Sequence, residues 1–400
     1  MQHAEKLWRV RNPRDIPFYC SPLHMFFVEW ALMLATLLLR ISYASFPYPS
    51  AGFVLFALAT VSFLAGFWTL FFAYKARGYS PKGNHVYRVN VVRLRRFHFA
   101  ALTLILFVML MNLKLYGLPP IFGFIGVDTL DYQEYGSLRQ PLFTAILVLF
   151  VSAPLETSAW RRWALYLFSP ACFMIYSSRG YLLVMLFQAL AVFSLRTQLN
   201  KKKIYAIAAV TFAVALLASN FIGNARNSLG VDALLGYLQI KPAYYDWPAA
   251  YLWLISYISS PISNMCWIVH VYPYQHPSWS FLYSALPGFW APQPIEQAGM
   301  LGSEKIIDGV HTYMSKYFID FWYFGIVGIN YVWGLISAFL NAGDRITRNF
   351  LASSVILGCM AFMFFSDFLT ILIIMLEFGL LVLMQRYVTL PVTDNQGSQG

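Results

Sequence analysis

Long apolar runs, separated by short polar and basic segments, divide this chain of 400 residues. A run of about 17 to 25 apolar residues is long enough to cross the hydrocarbon core of a bilayer as an α-helix. Only 11% of the residues are charged, against about 25% in a soluble globular domain. The predicted fold class is therefore an all-α polytopic membrane protein. The pattern predicts ten spans, at 22–46, 51–74, 97–116, 141–160, 163–177, 180–198, 204–222, 317–340, 349–366 and 368–386.

The polar stretch 223–316 separates the seventh and eighth predicted spans and is the longest interruption of the apolar pattern. We treat residues 1–400 as one integral membrane domain that carries this stretch as a large loop. Inside the loop, residues 248–271 are apolar again, but Pro261 stands among serine and asparagine side chains. Proline and hydroxyl groups part-way along an apolar run favour a re-entrant or broken helix that lines a cavity. An ordinary kinked span is the alternative.

Most of the 28 lysine and arginine residues lie in the N-terminal segment and in alternate connectors. By the positive-inside rule, these segments face the cytoplasm. The rule predicts a multi-pass protein with both termini in the cytoplasm and the loop 223–316 on the outer side. A full span at 248–271 would move the basic connector 341–348 outside, which supports the re-entrant interpretation. The polar tail 391–400 is predicted to be disordered.

The net charge of +11 comes from these flanking clusters, so we expect no nucleic-acid partner. Four cysteines and seven histidines are scattered along the chain, without the spacing of a disulfide framework or of a metal-binding helix. Phosphate-cradling glycine loops, nucleophile elbows and dinucleotide fingerprints are missing as well. The sequence thus predicts neither a metal site nor a cofactor.

Three residues on the predicted outer side carry the sharpest chemical signals. Arg179, in the sequence SSRG, lies between two spans with almost no loop, and a guanidinium group binds phosphate oxygens in a bidentate manner. Arg226, in NARNSLG, follows the seventh span next to Asn224. His311 precedes the eighth span, and a histidine can accept a proton near neutral pH. Contacts with lipid headgroups or a helix end for the arginines, and a structural role for the histidine, are the alternatives.

Further residues on the outer side are assigned to substrate binding. Arg139 and Lys316 are second-line phosphate contacts in this assignment. The complete predicted set is His311, Arg226 and Arg179 as catalytic residues, with Arg139, Asn224, Tyr257, Lys305, Tyr313 and Lys316 as substrate-binding residues.

Four carboxylates lie within or at the edges of the predicted spans, namely Glu29, Glu156, Asp367 and Glu377. An ionisable group at membrane depth indicates a function by default. The predicted depths of these four differ too much for one site, so we expect them to pair with Arg40 or to serve helix packing.

With this topology and these residues, the chain resembles the Wzy-type polymerases of oligosaccharide repeat units, the O-antigen polymerase family of bacterial envelopes. The layout matches over most of the chain, with ten or more spans and a large external loop late in the sequence. The local matches are DTLDYQEYGSLRQP before the fourth span, SSRG ahead of the sixth, and HTYMSKYFIDFWYFGIVG at the entry to the span after the loop.

The resemblance implies a fold similar to the C-type glycosyltransferases and a metal-independent glycosyltransferase activity. The growing glycan would leave undecaprenyl pyrophosphate and join a hydroxyl of the next lipid-linked repeat unit, on the periplasmic face of the bacterial inner membrane. Arg179 and Arg226 would hold the donor pyrophosphate, and His311 would act as base or position the acceptor hydroxyl. The implied partners are the lipid-linked donor and acceptor, the lipid bilayer and a chain-length regulator protein.

Two other functions stay open at this point. An O-antigen ligase would transfer the glycan to a lipid A core instead of to a repeat unit. A flippase or transporter of lipid-linked sugars would perform no catalysis, although such proteins commonly show duplicated halves, and no repeat is evident here.

Overall fold

The chain is a bundle of α-helices in a computed structural model. The structure describes residues 5–10, 17–78, 86–125, 138–195, 202–211, 238–271, 279–286, 312–342 and 348–391, together with 127, 129, 200, 213, 217, 235 and 236. The helices are α1 (Pro22–Leu39), α2 (Pro49–Ala76), α3 (Val91–Tyr116), α4 (Arg139–Ser152), α5 (Ala159–Ile175), α6 (Arg179–Ser194), α7 (Ala249–Val271), α8 (Met314–Ala342), α9 (Phe350–Ala361) and α10 (Leu372–Val388), and 202–211 is helical as well.

The helical fold confirms the predicted class of an α-helical membrane protein. Within the described residues, five helices are long and apolar enough to cross a membrane, namely α1, α2, α3, α7 and α8. The seventh predicted span, 204–222, is described over 204–211 and at 213 and 217, and the tail 391–400 lies outside the described part except for residue 391. The predicted loop 223–316 is described only over part of its length, and it contains α7 and the start of α8.

Several helix ends differ from the predicted spans for local reasons. The first span was expected to reach residue 46, but α1 ends at Leu39 because Arg40 takes a left-handed conformation with φ 46°. The third was expected to begin at 97, but α3 begins at Val91, where the Asn90 side chain accepts a hydrogen bond from the Arg93 N–H at 3.0 Å. Such a cap satisfies a backbone donor that has no partner within the helix.

The ninth predicted span, 349–366, is wrong in its length. The helix α9 covers only Phe350–Ala361 and is followed by turns and a 3-10 helix over Phe368–Thr370. Twelve residues rise about 18 Å, well short of a hydrocarbon core of about 30 Å. Every residue of α9 except Ile356 is buried, and irregular backbone is tolerated at membrane depth where protein surrounds it.

A small antiparallel sheet, which the sequence analysis did not predict, ties three distant segments together at one end of the bundle. Its central strand β2 (Val86–Asn90) pairs with β1 (Glu5–Arg9) and with β3 (Thr389–Pro391). Tyr87 also donates a hydrogen bond to the Arg348 carbonyl at 2.9 Å. The N-terminal segment, the connector between α2 and α3, the start of α9 and the C-terminal segment therefore share this end, which we call the sheet end.

The opposite end, which we call the loop end, is formed by residues 40–48, 238–248 and 362–371. The helix α7 lies there with both of its halves against the connector 40–48. Leu252, near its start, clusters with Ile41, and Ser263, further along, accepts a hydrogen bond from the Phe46 N–H at 2.7 Å. Since its two halves follow the same short connector, α7 does not run from one end of the bundle to the other.

The broken-helix form of the prediction for 248–271 is wrong, and the re-entrant form stays a prediction. Pro261 lies inside a continuous helix, and the Ser260 hydroxyl donates to the Ser256 carbonyl at 2.6 Å. Proline removes one backbone hydrogen bond from a helix interior, and here the surrounding side chains hold the helix together. The segment is one continuous helix that lies along the connector 40–48.

The long helices α2 and α8 cross with their backbones in contact. Gly66 faces the carbonyl of Tyr331, and Gly334 faces the carbonyl of Phe63, each so closely that a Cβ atom has no room. Small residues allow membrane helices to approach in this way. The pair forms a rigid wall of the bundle.

The helix α8 contains a sharp reversal that the predicted span 317–340 did not anticipate. Trp322 has φ 56° and ψ −144°, a conformation that is costly for a residue with a side chain. The chain folds back there, so that Gly325 backs directly onto the Tyr317 carbonyl. The helix therefore has a short arm, 314–321, and a long arm, 323–342.

Candidate functional site

Asp367 is the centre of a buried polar network at the loop end. It lies between α9 and α10 and is 2% exposed. Its Oδ2 atom accepts hydrogen bonds from the Tyr317 hydroxyl at 2.8 Å and from the Thr370 hydroxyl at 2.6 Å. Its Oδ1 atom is buried without a hydrogen-bond partner in the described part of the chain. Since buried polar atoms are normally paired, this oxygen is available for a hydrogen-bond donor from outside the described residues.

The charge of Asp367 is set by burial and by its neighbours. Burial raises the pKa of the Asp367 carboxyl group, and the hydrogen bonds from Thr370 and Tyr317 together with the nearby Lys316 ammonium only partly offset this effect. The net pKa lies above that of an ordinary aspartate. A carboxylate with a raised pKa is a stronger base, and enzymes use burial in this way to prepare proton acceptors.

A second carboxylate, Glu29 of α1, extends the polar network toward the middle of the bundle. It is buried and faces the backbone N–H of Phe364. Tyr313 lies within electrostatic reach of both Glu29 and Asp367, and its hydroxyl donates to the Asn330 side chain. Glu29 and Asp367 therefore both lie near Tyr313, whereas the expectation concerned all four carboxylates and stays a prediction.

The other two intramembrane carboxylates lie elsewhere. Glu156 forms an ion pair with Arg95 at 3.3 Å and accepts the Ser158 N–H at 3.1 Å, so the expected pairing with Arg40 is wrong for this residue. Glu377 accepts a hydrogen bond from Gln188 at 3.2 Å in the packed core, which agrees with a role in helix packing.

The N-terminus of α6 borders the segment that carries Asp367. The helix begins at Arg179, after Ser177 in a left-handed conformation with φ 52°. An added Cβ at Gly180 would lie 3.9 Å from the ring of Phe368, the residue next to Asp367. A helix N-terminus favours anions because its backbone N–H groups lack partners and its dipole is positive there. The described structure thus places a positive helix end beside the network.

The structure brings some of the predicted site residues together. Tyr313 and Lys316 belong to the network, and Tyr257 borders it, with its ring 5.7 Å from that of Phe365. Arg139 begins α4 at the same end, since Thr144, slightly further along α4, donates to the Ile373 carbonyl at 3.1 Å near the start of α10.

The remaining predicted residues are not placed. Arg226, Asn224, Lys305 and His311 lie outside the described residues, and so does the side chain of Arg179. The assignments of these five residues therefore stay predictions.

Sequence reasoning did not select Asp367, Tyr317, Thr370 or Asn330 as site residues. One usable signal was present, because Asp367 is the only charged residue in the sequence FFSDFLT, and such residues in membrane proteins mark function. Its partner Tyr317 lies 50 positions away, so the pairing itself was not visible in the sequence.

No family model, curated protein or solved structure matches this chain. Within the described residues, no three His, Cys, Asp or Glu side chains come together as metal ligands. The fold and the site define a class, a helical membrane protein with a buried aspartate–tyrosine–lysine network at one end of its bundle.

Proposed function

We propose that the chain polymerises lipid-linked oligosaccharide repeat units by transferring a glycan from a lipid pyrophosphate to a hydroxyl of the next unit. The observation that carries this proposal is the buried carboxylate of Asp367 at the loop end, with the Lys316 ammonium within electrostatic reach and the first turn of α6 against the ring of the next residue, Phe368. An anionic leaving group and a hydroxyl nucleophile need a cationic site and a base side by side.

The transfer has a simple balance of bonds. The bond between the anomeric carbon of the donor glycan and the pyrophosphate oxygen breaks, and its electron pair leaves with the lipid pyrophosphate. A bond from the acceptor oxygen to the same carbon forms, and the acceptor hydroxyl loses its proton to a base. No step requires an oxidant, a reductant or a nucleotide.

The proposed roles follow from charge and position. Lys316, with Arg179, Arg226 and Arg139 in support, stabilises the negative charge that grows on the pyrophosphate. Asp367 accepts the proton through its free oxygen. His311, which the resemblance implies as base, is placed in this scheme as the group that positions the acceptor.

The cellular placement belongs to the same proposal. We place the loop end on the periplasmic side of the bacterial inner membrane and both termini in the cytoplasm. Support comes from the sheet end, where β1, β2 and the start of α3 gather arginines such as Arg9, Arg88 and Arg93, as the positive-inside rule requires of a cytoplasmic face. A chain-length regulator is a proposed partner, and no cofactor is required.

The decisive experiment supplies the purified protein, in lipid vesicles, with lipid-linked repeat units alone. The expected product is a ladder of glycans that differ by one repeat unit, separated on a gel. A ladder that appears only when lipid A core is present would indicate a ligase. Vesicles that move the lipid-linked sugar across the bilayer but never lengthen it would indicate a transporter and would overturn the proposal.

A further inference from the structure

The reversal in α8 creates a groove of about 350 Å³ between its two arms. The groove is lined by the aromatic rings of Tyr317, Phe321 and Phe324, by Val332, and by the backbone of Gly328. Its wall is almost entirely apolar, and this volume lies at the small end of the range for ligand pockets in proteins. The groove therefore suits a stretch of hydrocarbon.

The shape of the groove depends on two glycines and on the kink. Gly325 lies against the Tyr317 carbonyl and closes the angle between the arms, whereas a Cβ added at Gly328 would meet nothing within 4 Å. Phe324 is 85% exposed at the edge of the groove, where it would be in lipid if α8 spans the bilayer. The groove thus opens sideways, toward the hydrocarbon of the membrane.

One end of the groove reaches the polar network. Tyr317 contributes its ring to the groove and its hydroxyl to Asp367, and Lys316 is the adjacent residue on the same arm. Gly325, Gly328 and Val332 lie on one face of the long arm, at spacings of three and four residues, and lead away from that end. A lipid with an anionic head at Lys316 and its chain along the long arm matches both the charge and the apolar lining.

We propose that this groove holds the part of the polyprenyl chain nearest to the phosphate of the lipid carrier. The inference rests on the proposed function, because the donor is the molecule that combines an anionic head with a long hydrocarbon chain. Holding the first part of the chain fixes the height of the pyrophosphate beside Lys316 and Asp367. Specificity for the lipid-linked donor then comes from its polyprenyl chain as well as from its sugar.

The test uses Gly328→Phe, which fills the groove without a clash against neighbouring backbone. The matched control is Gly379→Phe in α10, where an added Cβ also meets nothing within 4 Å. Both proteins are reconstituted in phosphatidylethanolamine and phosphatidylglycerol vesicles and irradiated with a polyprenyl phosphate that carries a photoreactive group in its chain near the phosphate. We expect labelling of Gly328→Phe to fall roughly tenfold or more, while Gly379→Phe is labelled like the wild type.

Two results would overturn the inference. One is normal labelling of Gly328→Phe, and the other is equal competition by unlabelled polyprenyl phosphate and by added phosphatidylglycerol, because the groove would then be an ordinary lipid contact. Sequencing of the labelled peptide provides a further check, since the label should be found in residues 317–332. Labelling is measured without turnover. A protein that is labelled in the groove but forms no glycan ladder would therefore contradict the proposed function without contradicting lipid binding in the groove.

Discussion

The Tyr317 hydroxyl lies 2.8 Å from Oδ2 of Asp367 and donates a hydrogen bond to it, although the two residues are 50 positions apart in the chain. The bond joins the short arm of α8 to the irregular segment that follows α9. Both donors that the described residues supply, Tyr317 and Thr370, act on Oδ2, so Oδ1 accepts no hydrogen bond from the described part of the chain.

Removing this bond should change how the activity depends on pH. Tyr317→Phe deletes a hydrogen bond that lowers the pKa of Asp367, so that pKa rises further above its ordinary range. A base works in its ionised form, and the glycan transfer rate should therefore begin to fall at a higher pH as the solution is acidified. Initial rates of ladder formation across pH measure the shift. Tyr323→Phe on the same helix serves as control, and superimposable acid limbs for the two variants would exclude Asp367 as the base.

Neutralising Asp367 should abolish most of the transfer. Asp367→Asn keeps the size of the side chain and an oxygen that can accept the Tyr317 hydrogen bond, but it cannot take up a proton at neutral pH. The rate should drop about 100-fold to 10,000-fold, the usual contribution of a general base. Asp246→Asn changes an exposed carboxylate at the same end of the bundle and should leave the rate unchanged. Full activity of Asp367→Asn in a folded preparation would rule out the assigned role.

Lys316 and Lys241 offer a matched comparison. Lys316→Met removes the cation near Asp367, and the rate should fall about 100-fold or more because the leaving pyrophosphate loses a charged partner. Lys241→Met removes a cation that lies 5.8 Å above the ring of Tyr43, in the connector region, and the rate should not change. Equal effects of the two substitutions on the glycan ladder would indicate that only the net charge of the surface matters.

The crossing of α2 and α8 predicts a stability effect of a single methyl group. Gly334→Ala places a Cβ against the Phe63 carbonyl, and the helices must separate, at a cost of about 1–3 kcal/mol. Gly379→Ala adds the same group in open space and should be neutral or slightly stabilising, since alanine favours helix more than glycine does. Thermal unfolding of the purified proteins in detergent compares them. Unfolding of Gly334→Ala at the wild-type temperature would contradict the close crossing.

Cysteine labelling tests which end of the bundle faces outward. The four native cysteines are buried, so the background reaction should be low. With a membrane-impermeant maleimide on intact cells, Tyr43→Cys at the loop end should react. Arg161→Cys lies near the sheet end, five residues after Glu156, which pairs with Arg95 at the start of α3, and it should react only after permeabilisation. Both native side chains are exposed. The reverse pattern would invert the proposed orientation.

The apolar runs were enough to predict the long helices, because burial in lipid requires continuous apolar sequence. The runs did not define where those helices end. The end of α1 depends on the conformation of Arg40, and the reversal in α8 occurs at Trp322 without a proline or glycine at that position. Both features depend on tertiary contacts, such as the fit of Gly325 against Tyr317, which local sequence does not encode.

The site was predicted only in part, because it too depends on tertiary contacts that local sequence does not encode. Lys316 and Tyr313 were selected because they precede a span on the predicted outer side, and the structure places both in the network. Asp367 was predicted to pair with Arg40 or to serve helix packing, because the four carboxylates have different predicted depths in the membrane. The network forms only where α9 ends early and the chain turns inward, and the length of α9 is set by packing on all sides instead of by the thickness of lipid.

The order of synthesis means that the three-stranded sheet is completed in two steps. The strands β1 and β2 are both available once residue 90 has been made, whereas the second edge of β2 stays open until the ribosome reaches β3 at residues 389–391. That edge closes only after α10 has returned to the sheet end. The pairing of Val89 with Thr389 can therefore form only after every helix between these two residues has been synthesised.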